Sequence, residues 1–128
     1  MIRQINDVVL FVQDLDKCTA FYRDLLGLKA TMSDDVSIAF QFEGSRHLVL
    51  LKVAAAEGMV TKEAISLDKG AAHQVLLCAG VEDIDVEYKA LMAKGVEFIK
   101  PPISQPWGRR TAYFADPEGN LWELWQNI

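Results

Sequence analysis

The strongest constraint on this chain is that it repeats itself. Val12-Gln13-Asp14-Leu15-Asp16 is echoed by Val81-Glu82-Asp83-Ile84-Asp85. Each copy follows a short apolar run and opens a stretch of helical periodicity. After Asp14, apolar side chains recur at Leu15, Cys18, Phe21, Tyr22, Leu25 and Leu26, and Gly27 follows. After Asp83 they recur at Ile84, Tyr88, Leu91 and Met92, and Gly95 follows. Spacings of three and four put such residues on one helical face. Aspartate accepts from the open N–H groups at a helix start, and glycine readily takes the conformation that ends one. Both ends of each predicted helix are therefore marked.

Past each glycine the pattern changes to strands. In the first half these are Lys29 to Met32, Val36 to Phe42 and His47 to Val53. In the second they are Glu97 to Ile99, Arg110 to Ala115 and Leu121 to Gln126. Turn formers separate them: Ser33-Asp34-Asp35, Glu43-Gly44-Ser45, Pro101-Pro102 and Asp116-Pro117-Glu118-Gly119-Asn120. The order β-α-β-β-β thus occurs twice. It predicts an α+β fold of two tandem βαβββ modules, forming a curved, cup-like mixed sheet with the helices outside. We read residues 1–128 as a single domain: module 1 over about 1–54, a poorly patterned connector over about 55–70, and module 2 over about 71–128. The hollow of such a sheet is where a small ligand is expected.

Composition narrows the partners. A formal charge of −5 and scattered Lys and Arg argue against nucleic acid and against an anionic membrane. No apolar run approaches the roughly 18 residues of a membrane span. The N-terminal stretch MIRQINDVVLF lacks a signal peptide's pattern, so a cytoplasmic location is expected. Cys18 and Cys78 do not form a disulfide framework, and two histidines exclude a three-histidine zinc site within one chain. Cys18 reads as core on the first helix, and Cys78 as a strand residue.

Glu123 is the most demanding single residue. In "GNLWELWQ" a strand turns Leu121, Glu123 and Trp125 to one face and Trp122 and Leu124 to the other. A carboxylate in such company needs a partner. An arginine, Arg109 or Arg110, is one choice.

The run D-V-V-L-F-V-Q-D-L-D-K-C-T-A-F-Y-R-D-L-L-G-L resembles the opening of the vicinal oxygen chelate superfamily, which holds glyoxalases, bleomycin-resistance proteins and extradiol dioxygenases. The run P-W-G-R-R-T-A-Y-F-A-D-P-E-G-N-L-W-E-L is similar to the superfamily's closing hairpin. The resemblance implies a divalent metal held by residues from the first and last strands of each half, with positions open to a chelating substrate. Carried onto this chain, it implies Glu123, Asp7 and His73 as metal ligands, with Glu123 also the catalytic candidate. Such a set would suit Zn²⁺, Ni²⁺, Mn²⁺, Fe²⁺ or Mg²⁺. Two departures stand out. Asp7 occupies a position usually held by histidine. Asp7 also lies seven residues before Asp14, whereas His73 lies ten before Asp83, and strict register puts Leu76 there. The last strand of the first half offers no carboxylate, and His47 near its start reads as a hairpin residue.

The segment "SQPWGRR", which leads into the penultimate strand, supplies further candidates. Trp107 is placed to stack on a ligand, and Arg109 or Arg110 to hold an anionic group. Phe40, Phe42, Tyr113 and Trp125 are candidates to line the hollow, with Phe40 and Phe42 on one face by alternation. Two functions follow. One is a metal-dependent lyase or isomerase acting on a small oxygenated molecule. The other is a metal-free protein that binds or sequesters an aromatic, antibiotic-type molecule. The resemblance implies a homodimer in both.

Overall fold

The computed structural model describes residues 1, 3–65 and 75–128. The chain forms two compact units, Met1–Asp68 and Lys69–Ile128. The first contains β1 (Asp7–Val12), α1 (Leu15–Ala20), β2 (Lys29–Ser33), β3 (Ser37–Gln41), β4 (His47–Lys52) and α2 (Val53–Met59). The second contains β5 (Leu76–Gly80), α3 (Ile84–Ala93), β6 (Phe98–Ser104), β7 (Arg109–Ala115) and β8 (Leu121–Asn127). Each unit is a βαβββ module with its own four-stranded mixed sheet, ordered β1-β4-β3-β2 and β5-β8-β7-β6. In each, the first strand runs parallel to the last and the other pairings are antiparallel.

The two aspartates that mark the repeat cap the helices. Asp14 accepts from the Lys17 N–H at 3.0 Å, and Asp83 from the Val86 N–H at 3.2 Å. Gly27 and Gly95 follow with φ of 73° and 98°, conformations that glycine adopts freely. Helix α1 continues into a π-helical turn over Phe21–Leu25, closed by the Leu26 N–H on the Phe21 carbonyl.

In unit 1 the helix covers one sheet face. Leu10, Val12, Ile38, Phe40, Leu48 and Leu50 are buried there with Cys18, Phe21 and Tyr22. In unit 2, Ala112, Phe114, Trp122 and Leu124 are buried on the α3 side. A run of ring contacts joins Tyr88 to Phe98, Phe98 to Phe114 and Phe114 to Trp122. Polar contacts fix the helix to the sheet: Gln126 Oε1 accepts from the Ile84 N–H at 2.7 Å. Arg110 donates to both oxygens of Asp85, at 3.0 and 2.9 Å.

Two segments depart from expectation. The connector begins with α2, because Ala54-Ala55-Ala56 favours helix without any amphipathic period, and Ala56 is fully buried. Pro101-Pro102 lies inside β6 and does not end it. The strand tolerates both prolines because it is an edge strand whose register with β7 slips between Phe98 and Ile103.

The β7–β8 turn is built on Asp116. Its carboxylate accepts from the backbone N–H groups of Glu118 and Asn120 and from the Asn120 side chain, at 2.8–2.9 Å. Charge-assisted bonds to a buried carboxylate are among the stronger ones. Asp116→Ala should therefore cost roughly 2–3 kcal/mol in urea unfolding, and Asp116→Asn less, because it keeps one acceptor. The Arg110 hydrogen bonds, and its charge, hold the Asp85 carboxyl below its usual range. A carboxyl with a depressed folded pKa adds stability above its unfolded value, about 3.9, and loses it as pH falls through the lower folded value. The stability gap between the wild type and Asp85→Asn should accordingly be full at neutral pH and close in acid, as read by denaturation midpoints.

Candidate functional site

Alternation along the strands leaves each sheet a second face, turned away from α1 or α3. In unit 1 this far face carries Asp7 and Val9 of β1 beside His47 and Val49 of β4, since Asp7 pairs with His47 and Val9 with Val49. His47 Nδ1 lies 3.2 Å from Asp7 Oδ1, and both side chains are partly exposed. A groove of about 480 Å³ opens along this sheet. Ala39 and Val49 supply apolar lining, and Thr31, Ser33, Asp34 and Ser37 supply polar lining.

In unit 2 the far face carries a polar row. Cys78 of β5, Glu123 of β8 and Tyr113 of β7 are cross-strand neighbours. The Tyr113 hydroxyl donates to Glu123 Oε2 at 2.6 Å, a short bond of the kind made to a charged acceptor. Ionising the phenol would remove that bond, so Tyr113 stays protonated above its ordinary range. Cys78 is exposed as a residue, but local desolvation and then the Glu123 carboxylate push its thiol up, with Arg109 opposing. A thiol so placed is a neutral hydrogen-bonding group and not a thiolate. One step along the strand, the Arg109 guanidinium lies 3.8 Å from the centroid of the Trp125 ring. Thr111, next to Tyr113 on this face, accepts from the Gln105 side chain at 3.1 Å.

The candidates therefore separate. Glu123, Tyr113, Arg109 and Trp125 share one face of unit 2. Among the described residues, the side chains bonded to Glu123 are the Tyr113 hydroxyl and the Cys78 thiol, and neither arginine pairs with it. Arg110 points to the other side, where Asp85 and Ser104 take its N–H groups. Phe40 is fully buried against Tyr22, so it packs the core beneath α1 and does not line the far face. Phe42 lies just beyond β3 and is 39% exposed. Trp107 stands in the β6–β7 turn, 64% exposed. His73 lies outside the described residues. His47 is no mere hairpin residue, since the parallel register of β1 and β4 sets it against Asp7. Cys78 and Tyr113 as neighbours of Glu123 also follow from pairing, which the one-dimensional pattern does not contain.

The duplication bears on whether four equivalent positions could supply ligands; His73, one of the three expected ligands, lies outside the described residues. Val9 precedes Asp14 by five residues, as Cys78 precedes Asp83. Val9 pairs with Val49, and Cys78 pairs with Glu123. Val49 is thus the repeat counterpart of Glu123, and Leu76 the counterpart of Asp7. Two of the four equivalent positions are apolar, and a hydrocarbon side chain donates nothing to a cation. Among the described residues, no three His, Cys, Asp or Glu side chains gather as a metal-holding group. The described donors do not fit a four-ligand site. No helix among the described residues is long and apolar enough to cross a membrane.

Comparison with known proteins agrees with this architecture. The model of the Glyoxalase/Bleomycin resistance protein/Dioxygenase superfamily matches residues 4–124. The uncharacterized protein YraH of Bacillus subtilis (strain 168) is 34% identical over 127 residues, covering 98% of this chain and 99% of its own. The crystal structure of a glyoxalase/bleomycin resistance protein/dioxygenase from Nocardioides superposes with a TM-score of 0.87 at 26% identity, covering 100% of this chain and 85% of that one. Lactoylglutathione lyase from Agrobacterium tumefaciens shares the fold, with a TM-score of 0.73 at 23% identity over 96% of this chain and 92% of its own. Matched along nearly its whole length, the chain belongs to the Glyoxalase/Bleomycin resistance protein/Dioxygenase superfamily.

Proposed function

We propose that this protein binds a small, partly aromatic molecule on the far face of its second sheet without using a metal ion. The observation that carries this reading is the mismatch between the two units: Val49 stands opposite Glu123 in the repeat, and Leu76 opposite Asp7. A carboxylate whose repeat counterpart is apolar, and which accepts a phenol's hydrogen bond, is suited to receive hydrogen bonds from a ligand. Unit 1 separately carries a groove whose volume falls within the range of small-molecule pockets. Trp125, Tyr113 and Arg109 supply flat and charged contacts. Trp107, Phe42 and Arg110 remain weaker candidates, Arg110 because it is already paired with Asp85.

A homodimer belongs to the same proposal. Each described sheet ends on two edge strands, β1 and β2 or β5 and β6, and an edge strand is a natural place for a second copy to pair. Sedimentation showing only monomer at micromolar concentration would remove that part. The cytoplasm is the proposed location.

For the binding function, protein purified without chelator should carry no stoichiometric divalent ion. Aromatic ligands in a tryptophan-fluorescence screen should bind equally well with and without EDTA. Glu123→Gln should weaken binding and leave metal content unchanged. A bound stoichiometric ion lost in Glu123→Gln would replace this reading with that of a metal-dependent lyase or isomerase.

A further inference from the structure

The far face of unit 2 has a chemical order along its strands. Across β7 and β8, Arg109 lies opposite Asn127, Thr111 opposite Trp125, Tyr113 opposite Glu123 and Ala115 opposite Leu121. Because Arg109 leans over Trp125, the face runs from a cation on an indole, through a carboxylate bonded to a phenol, to an apolar end. We propose that this order selects a flat aromatic acid bearing a hydroxyl or amino group at the end opposite its carboxylate. The proposal rests on the metal-free binding reading and names the class of ligand.

Three features support it. A guanidinium stacked on an aromatic ring keeps its N–H edge in the plane, where it can meet a carboxylate with two parallel bonds. Arg110, the neighbouring arginine, is already engaged by Asp85, which leaves Arg109 as the one suited to this task. Trp125 and Glu123 stand two residues apart on one face, about 7 Å along the strand, which is the length scale of one para-substituted ring. Glu123 has acceptor capacity beyond its bonds to Tyr113 and Cys78, since a carboxylate offers about four lone-pair sites. It would take the ligand's hydroxyl or amino hydrogen, while the ligand carboxylate lies on Arg109.

Gly80 is the positioning residue of this arrangement. It pairs with Trp125, and a Cβ at Gly80 would lie 2.9 Å from Cζ2 of the indole and 3.2 Å from Cε2. That approach leaves no room for a methyl group, so the indole rests on β5 only because residue 80 is glycine. Gly80→Ala displaces the ring and the guanidinium above it, with no change in charge.

The test is a set of binding isotherms by tryptophan fluorescence and calorimetry, using 4-hydroxybenzoate, benzoate and phenol, with and without EDTA. 4-Hydroxybenzoate should bind about tenfold or more tightly than either fragment, the value of one charge-assisted hydrogen bond. Arg109→Gln should reduce its affinity to that of phenol, and Glu123→Gln to that of benzoate. Gly80→Ala should weaken 4-hydroxybenzoate while leaving phenol little changed. Equal binding of the three probes by the wild-type protein, or no binding of 4-hydroxybenzoate, would overturn the proposal while leaving metal-free binding intact. Binding of all three that disappears with EDTA would overturn the underlying reading as well.

Discussion

Everything at the candidate site depends on one ladder, the parallel pairing of the first strand of each unit with its last. A parallel pair cannot be closed by a tight turn, so the chain must leave the sheet, form a helix and two further strands, and return. The helix shields one face of the sheet, and alternation assigns every second side chain to the other. That single pairing sets His47 beside Asp7 in unit 1 and Cys78 beside Glu123 in unit 2. The antiparallel partner of the last strand then adds Tyr113.

Among the described residues, Glu123 is met by neutral donors and not by an ion pair. Its neighbours on the same face are large and apolar, Leu121 and Trp125, yet the phenol across the ladder supplies a short donor. The cationic side chains nearby are otherwise occupied, Arg110 with Asp85 across the helix and Arg109 with an indole. Unit 2 therefore keeps its acid and its base apart on one surface. Unit 1, built on the same plan, places a valine where the acid would be. Duplication has preserved the frame and let the chemistry of the two halves diverge.

Much of the frame can be read from residues alone, because its signals are local. Asp14 and Asp83 cap the helices that their position announces, and Gly27 and Gly95 end them. The turn at Asp116 to Asn120 is likewise written in its own residues. Signals fail where they are weak or distributed. Helix α2 has alanines but no apolar period. The prolines of β6 suggest a break, whereas an edge strand can absorb them. Phe40 and Phe42 alternate as expected, but alternation cannot say which face meets the helix. The contacts of Glu123 are the clearest case. Position 123 is evident from its spacing to Gly119, but Tyr113 and Cys78 become its neighbours only once strand register is known.

The two prolines of β6 also bear on how this sheet can grow. Pro101 and Pro102 carry no backbone N–H, so β6 lacks two consecutive donors. Both lie within the slip in pairing between Lys100 and Ile103. The gap interrupts the row of donors that an incoming strand would need. Unwanted polymerisation through this edge is thereby discouraged, and β5 is left as the edge of unit 2 with an unbroken set of backbone donors.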